Sequence, residues 1–292
     1  MTAQIPFTHV NPLLQSLKQQ NYKQFNTKKF MKMFNYQNDG VEIFTLDKTA
    51  QTYLQDFCRE CRQWLIWSGV SEFPKEDLPF VLAEVAKKDR GLIAKLYKVS
   101  RRFPSIKRLA CSEGLISKAK KACNSDLISC CNFVCVRFDL PSEEDFLLGI
   151  HQDFPYIQGS LNGVTIWLSP FEVSFDLGAP SVVLGSFLNG VIPVFERSLS
   201  KTYGYNGGST ISTRIDLNDS EFQKVALKKH EAMIMHTLTL HKSEKNLTDQ
   251  ARVSIQIRFD DLKDKVSFER NYPEGLYLRN QFKDSYPEYV SH

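Results

Sequence analysis

The chain has 292 residues, 24% of them charged and 42% hydrophobic, a globular rather than disordered composition that fits one large or two small domains. No apolar run reaches the roughly 18 residues of a membrane helix, and the start lacks the basic-then-apolar order of a signal peptide. Seven cysteines are an odd number for a disulfide framework, so the expectation is a soluble, cytoplasmic protein. The net charge of +4 is uneven: residues 1–146 carry 22 Lys/Arg against 16 Asp/Glu, and residues 147–292 carry 15 against 17. Most of the excess lies in 87–121, where twelve basic residues meet only Asp89 and Glu113. Such a stripe suits a polyanion or an anionic substrate, although a solvated helix face is the simpler reading.

Before residue 45 the sequence is polar and dotted with aromatics, so helix and loop are not separable there. Leu54, Phe57, Cys58, Cys61, Trp64 and Leu65 then recur at three- and four-residue steps, the pattern of a helix burying one face. Cys58-Arg-Glu-Cys61 resembles half a zinc site, but no partner pair follows, and the cysteines read as helical core. Val81, Leu82, Val85, Leu92, Leu96 and Val99 predict a helix from about Pro79 to Phe103, ended by the Arg-Arg-Phe-Pro step at 101–104.

After about residue 130 the period shortens to two. Phe133–Phe138, Gly163–Leu168, Ser181–Leu184 and Arg252–Phe259 are β-branched or aromatic runs bounded by Gly, Pro, Asn and Asp, as in an all-β sandwich or barrel. Cys130, Cys131 and Cys135 read as buried small hydrophobes on the strand approach. Tyr203-Gly-Tyr-Asn-Gly-Gly reads as a mobile loop. The expected fold is α+β: a mainly helical region, 1–130, packed on a β core, 131–292, as one compact unit.

Of the six histidines (His9, His151, His230, His236, His241 and His292), four lie in the β-rich part. His151-Gln-Asp153 places an imidazole and a carboxylate two residues apart, on one side of an extended segment. About 90 residues later comes Met235-His-Thr-Leu-Thr-Leu-His241. Two histidines and a carboxylate form the facial set that leaves open positions on non-haem Fe(II). Taken as one strand, 236–241 puts His236 and His241 on opposite faces, and His236 reads as a core or supporting histidine. In the last strand Val253, Ile255, Ile257 and Phe259 face one way. Arg252, Ser254 and Gln256 face the other, where a guanidinium beside a hydroxyl is a fork for a carboxylate.

These residues resemble the phytanoyl-CoA dioxygenase family of Fe(II)/2-oxoglutarate-dependent oxygenases across roughly residues 90–262. His151-Gln-Asp, Gln158-Gly-Ser-Leu-Asn-Gly-Val-Thr-Ile-Trp167, Leu184-Gly-Ser, and His241 with Arg252 eleven residues later carry the resemblance. It implies a double-stranded β-helix (jelly-roll) core in which His151, Asp153 and His241 ligate Fe(II). It further implies that Arg252, helped by Ser254, holds the distal carboxylate of 2-oxoglutarate, with Thr165 and Trp167 on the cosubstrate side. Tyr156, Gln158 and Asn162 are substrate-side candidates, with packing or strand-end roles as the alternative. The implied reaction couples 2-oxoglutarate decarboxylation and O₂ to hydroxylation of a small molecule through a ferryl intermediate. Asp153 stands where halogenating relatives carry a small residue, which favours hydroxylation.

Two positions depart from the family pattern: Phe187 follows Gly185-Ser where a histidine is frequent, and Glu244-Lys245 replaces a Gly-Pro. The basic stripe favours an anionic or sugar-like substrate. Alternatives are a catalytically idle barrel that uses the 87–121 surface for a polyanion, and a metal-dependent hydrolase or isomerase without a task for Arg252. Nucleic acid is not the expected partner. Asn246-Leu-Thr matches a glycosylation sequon, which carries no meaning without secretion.

Overall fold

The alternation in the last strand organises the molecule. A computed structural model describes residues 34–71, 77–130, 134–202, 205–213, 215, 217–275 and 282–290, all within the contact unit Phe34–His292. His9, Cys131, residues 203–204 and His292 lie outside the described residues. Strand β11 (Arg252–Asp261) pairs on one side with β4 (Val164–Leu168) and on the other with β3 (Cys135–Asp139) and β2 (Ile128–Cys130), all antiparallel. β4 continues the sheet to β9 (Glu231–His236), and β9 to β1 (Val41–Thr45).

The second sheet is built from short strands: β5 (Ser181–Val182) lies between β8 (Gln223–Lys224) and β10 (His241–Lys242). A single bridge between His151 and His241 adds a fourth rung. The architecture is a jelly roll with helices on the outer face of its large sheet, an α+β fold.

Period-two sequence explains the layering. Val253, Ile255, Ile257 and Phe259 of β11, with Ile166 of β4 and Phe138 of β3, point outward into one buried core. The helices close that core: α1 (Tyr36–Asp39), α2 (Lys48–Trp67), α3 (Leu78–Lys88), α4 (Arg90–Ser100), α5 (Pro104–Ala110) and α6 (Glu113–Cys123). Phe57 and Leu65 of α2, Leu82 of α3 and Leu96 of α4 are fully buried in it. Each such side chain contributes roughly 1.5–3 kcal/mol of transfer free energy. Cys61 is buried and Cys58 half-buried on α2, with free thiols.

Several expectations are corrected. The helix expected from Pro79 to Phe103 is two helices, broken at Asp89, whose extended backbone ends α3 and whose carboxylate caps α4 by accepting the Leu92 N–H at 3.1 Å. Apolar spacing alone does not register such a cap. Within the stretch before residue 45, where helix and loop are not separable by sequence, Val41-Glu-Ile-Phe-Thr is a strand, β1, paired with β9. From Tyr205 onward the stretch read as a mobile loop is strand: Tyr205, Asn206 and Gly208 of β7 (Tyr205–Thr213) pair with Thr202, Lys201 and Leu199 of β6 (Val194–Thr202). Cys135 is only half-buried and sits on the inner face of the sheet, opposite Gln256, rather than among hydrophobes.

The basic stripe is spread over α3, α4, α5 and α6. Within it Lys87 pairs with Glu84, Arg90 with Glu143, Arg108 with Asp56 and Lys118 with Glu42. Among the described residues no helix is long and apolar enough to cross a membrane.

Gly40 turns α1 into β1 at φ +71°, and a Cβ there would lie 2.5 Å from Phe187 Cδ1 and 2.8 Å from Thr239 Oγ1. Gly69 has φ +98° but nothing within 4 Å of its Cβ position. Gly40→Ala is therefore expected to cost about 3 kcal/mol in urea unfolding, and Gly69→Ala only about 1 kcal/mol. Equal losses at the two positions would contradict this packing.

Candidate active site

His151 and His241 face each other across an antiparallel bridge closed by two backbone hydrogen bonds, His151 N–H to the His241 carbonyl and the reverse, each 3.0 Å. Their rings lie 4.1 Å apart between centroids. Each Nδ1 sits against a backbone carbonyl, Gly149 O at 2.7 Å and Thr239 O at 3.0 Å. A carbonyl only accepts, so each Nδ1 carries the proton and each Nε2 presents a lone pair. Both Nε2 atoms look at the same oxygen, Asp153 Oδ1, at 4.0 and 3.9 Å. One donor atom from each of the three residues falls within 4.8 Å of the others, and all three residues are buried.

Asp153 does not reach this point from an extended segment. Its backbone is helical (φ −71°, ψ −31°) at the entry to the short helix α7 (Phe154–Ile157), so the convergence comes from a turn. The run 236–241 is likewise not one strand. β9 ends at His236 and the chain crosses to the other sheet before His241. His236 packs against Phe187, centroids 4.9 Å apart, and its Nδ1 accepts the Leu238 N–H at 3.1 Å. It is outside the donor set.

The second oxygen of Asp153 accepts the Thr165 hydroxyl at 2.5 Å. Arg258, directly opposite Thr165 in the β4–β11 register, places Nη2 3.3 Å from Oδ1 and donates to Gln256 at 2.7 Å. Burial raises the Asp153 pKa. The Arg258 guanidinium, the two imidazoles and the Thr165 hydroxyl outweigh it and hold the carboxyl well below the usual range. His151 is pushed down to about 3 by burial and by His241, which keeps it neutral and able to ligate.

Arg252, Ser254, Gln256 and Arg258 line the inner face of β11. Arg252 is 3% exposed and directs Nε and Nη2 at Asp139 Oδ2, at 3.2 and 2.8 Å. Its Nη1 looks toward Gly178, where a Cβ would lie 2.9 Å away. Ser254 is fully buried and its hydroxyl has no hydrogen-bond partner among the described residues. A buried guanidinium beside an unsatisfied hydroxyl fits a carboxylate ligand.

The model of phytanoyl-CoA dioxygenase matches residues 74–254, more than half of the chain. The chain belongs to the phytanoyl-CoA dioxygenase family. Fe(II), 2-oxoglutarate and O₂ are the cofactor set of that family, and the buried His–Asp–His donors with Arg252 and Ser254 fit it. Two curated relatives are named phytanoyl-CoA dioxygenase domain-containing protein 1 homolog. The one from Caenorhabditis elegans is 27% identical over 125 residues, 41% of this chain and 43% of its own length. The one from Caenorhabditis briggsae is 30% identical over 121 residues, 40% of each chain. The matched region thus spans under half the length of these relatives. Among solved structures, a non-heme monooxygenase, ThoJ, superposes with TM-score 0.52 at 16% identity, covering 78% of this chain and 76% of its own. The epimerase SnoN, crystallised with Fe³⁺, alpha-ketoglutarate and nogalamycin RO, gives TM-score 0.50 at 17% identity over 77% and 80%. At these identities the likeness is one of fold.

The remaining sequence candidates divide. Tyr156 stands edge-on to His151, ring centroids 5.6 Å apart. Trp167 packs inside the barrel with Val41, Val182 and Met233. Gln158 is buried at the C-cap of α7, where its amide lies close to Gly275. Asn162 is on the far side of β4, donating to the Cys123 carbonyl at 2.6 Å and to Asp261 at 3.3 Å, and is not brought to the family's metal site.

Sequence reasoning missed Asp139, Arg137, Arg258 and Asn246. Arg258 was one step further along the parity already read in β11. Asn246 is no sugar acceptor in this fold: it is 2% exposed, and its amide donates to the carbonyls of Asp139 and Gln250.

Thr165→Val removes the hydrogen bond that orients Asp153 while keeping the volume. It is expected to weaken Zn(II) or Fe(II) binding by isothermal titration roughly tenfold, with the melting temperature little changed.

His151 near 3 and His236, lowered by burial to about 4, both lie below the ordinary value of 6.5. The stability they contribute is present above that value and is lost as pH falls through it towards 4 and 3. Metal-free protein is expected to lose up to about 1.4 kcal/mol per pH unit for each histidine between pH 6 and 4.5 in urea titrations. His236→Gln is expected to halve that slope.

Proposed function

We propose that the chain is an Fe(II)- and 2-oxoglutarate-dependent oxygenase that hydroxylates a small molecule. The observation that carries this reading is the buried convergence of His151, Asp153 and His241, with both imidazole lone pairs aimed at one carboxylate oxygen. Bound there, Fe(II) with O₂ and 2-oxoglutarate supplies the oxidising power to break an unactivated C–H bond, the cosubstrate leaving as succinate and CO₂.

The residues of the chain provide the setting. Gly149 and Thr239 carbonyls fix both imidazole tautomers, while Thr165 and Arg258 keep Asp153 ionised and oriented. Arg252 and Ser254 receive the distal carboxylate of a dicarboxylate, which gives the cosubstrate one orientation on the metal. Trp167 and its apolar neighbours keep water from the inner wall, and Tyr156 lies beside His151 on the substrate side. Asp153 takes the position that a halide would need, which favours hydroxylation over halogenation. The buried arginines of the inner face favour an anionic or sugar-like substrate.

The test is anaerobic addition of Fe(II) and then 2-oxoglutarate, following the visible charge-transfer band of the chelate. Wild type is expected to form the band, His151→Ala to lose it, and Arg252→Ala to need at least about tenfold more 2-oxoglutarate. Folded wild-type protein that binds Fe(II) and gives no band would sink the oxygenase reading.

A further inference from the structure

Opposite Arg252 and Ser254, strand β3 presents a second pair of ionic side chains on the inner face. The register sets Asp139 against Arg252 and Arg137 against Ser254. Asp139 is shared: Oδ2 takes Nε and Nη2 of Arg252, and Oδ1 takes Nε and Nη2 of Arg137, at 3.2 and 2.6 Å. All three side chains are at most 7% exposed. Arg137 is itself tethered, Nη2 donating to the Phe146 carbonyl at 2.9 Å, and the Asp139 backbone is held by Asn246. Burial opposes ionisation of Asp139, yet the two guanidiniums bring its pKa to about 2.

A buried Arg–Asp–Arg group contributes little net stability, since desolvation of the charges offsets their attraction and apolar residues of the same volume do as well. Its position matters more. Arg252 is the cation assigned to the distal carboxylate of 2-oxoglutarate, and Asp139 already takes one whole edge of that guanidinium. An incoming carboxylate is left the Nη1 edge, which faces Gly178, and the unsatisfied Ser254 hydroxyl. It arrives beside a like charge. Arg252 and Asp139 alone cancel; only with Arg137 does the group keep one net positive charge to meet the ligand.

We propose that Asp139 and Arg137 are positioning residues that set the affinity for 2-oxoglutarate, Asp139 lowering it by neutralising Arg252 and Arg137 restoring it by neutralising Asp139. This deepens the oxygenase reading and rests on it. Asp139→Asn keeps an acceptor for Arg252 and removes the competing charge, so it strengthens binding. Arg137→Gln leaves Asp139 free to cancel Arg252, so it weakens binding. A carboxylate–guanidinium salt bridge of purely structural use has no reason to act in opposite directions on one ligand.

The experiment uses the full chain with Fe(II) under anaerobic conditions and titrates the chelate band with two acids. 2-Oxoglutarate carries the distal carboxylate; 2-oxopentanoate has the same chelating end without it. Asp139→Asn is expected to bind 2-oxoglutarate about tenfold tighter and Arg137→Gln about tenfold weaker, both with unchanged affinity for 2-oxopentanoate, and Arg137→Lys to recover most of the loss. Thermal melts identify folded variants. If Asp139→Asn does not fold, the Arg137 pair decides alone. Equal changes for both acids, no change, or selectively weaker 2-oxoglutarate binding by Asp139→Asn overturns the proposal while leaving the oxygenase reading intact. A wild type that binds Fe(II) but gives no band with either acid overturns the oxygenase reading and this inference with it.

Discussion

The site depends on two hydrogen bonds between residues 90 positions apart. The reciprocal pairing of His151 with His241 makes them opposed partners of an antiparallel ladder, and opposed partners project to the same face. Once the bridge closes, both rings are on one side at nearly the separation a shared ion needs. The third ligand then requires only a turn, which α7 supplies. The strands around the bridge are two residues long and offer little pairing of their own. Their placement is supported by the large sheet, whose strands of three to ten residues are packed under the helices.

That division of labour explains how the two faces of one strand serve different ends. On β11, Ile255 and Ile257 are in the dry core against the helices, while Ser254 and Gln256 between them line the interior. Polar groups on the inner face are costly unless satisfied. Asp139, Arg137, Arg252, Thr165, Asp153 and Arg258 bond to one another in two groups along that face. One group surrounds Asp153 and the other Arg252.

The legible parts of the chain were those with a strict period or a rare composition. β4 and β11 follow directly from their alternation, whereas His151-Gln-Asp153 is weak evidence by itself and it is the resemblance to the family's order and spacing that picks out His151, Asp153 and His241 together. Pairing partners were less legible. Asp139 ends an ordinary strand, and nothing local says that its opposite number is Arg252, because register between strands over 100 residues apart is decided by the whole sheet. The break at Asp89 was hidden because both helices keep the same apolar spacing across it, and only the side-chain cap separates them. Asp153 reached the expected place by a different backbone from the one inferred, since two residues in a turn can converge as well as two in a strand.

Gln152, between two of the ligands, points the other way. Its amide donates to the carbonyls of Gly190 and Leu238, and its oxygen accepts the Ile192 N–H at 2.9 Å; Thr213 donates to the Ile150 carbonyl at 2.8 Å. Both feet of the β6–β7 hairpin are therefore bolted to the backbone that carries His151 and Asp153. Among the described residues, the strands of that hairpin are hydrogen-bonded to each other in a sheet of two. Changes of length between these feet are expected to leave the backbone of residues 150–153 where it is, because the hydrogen bonds that anchor it lie outside the changed segment.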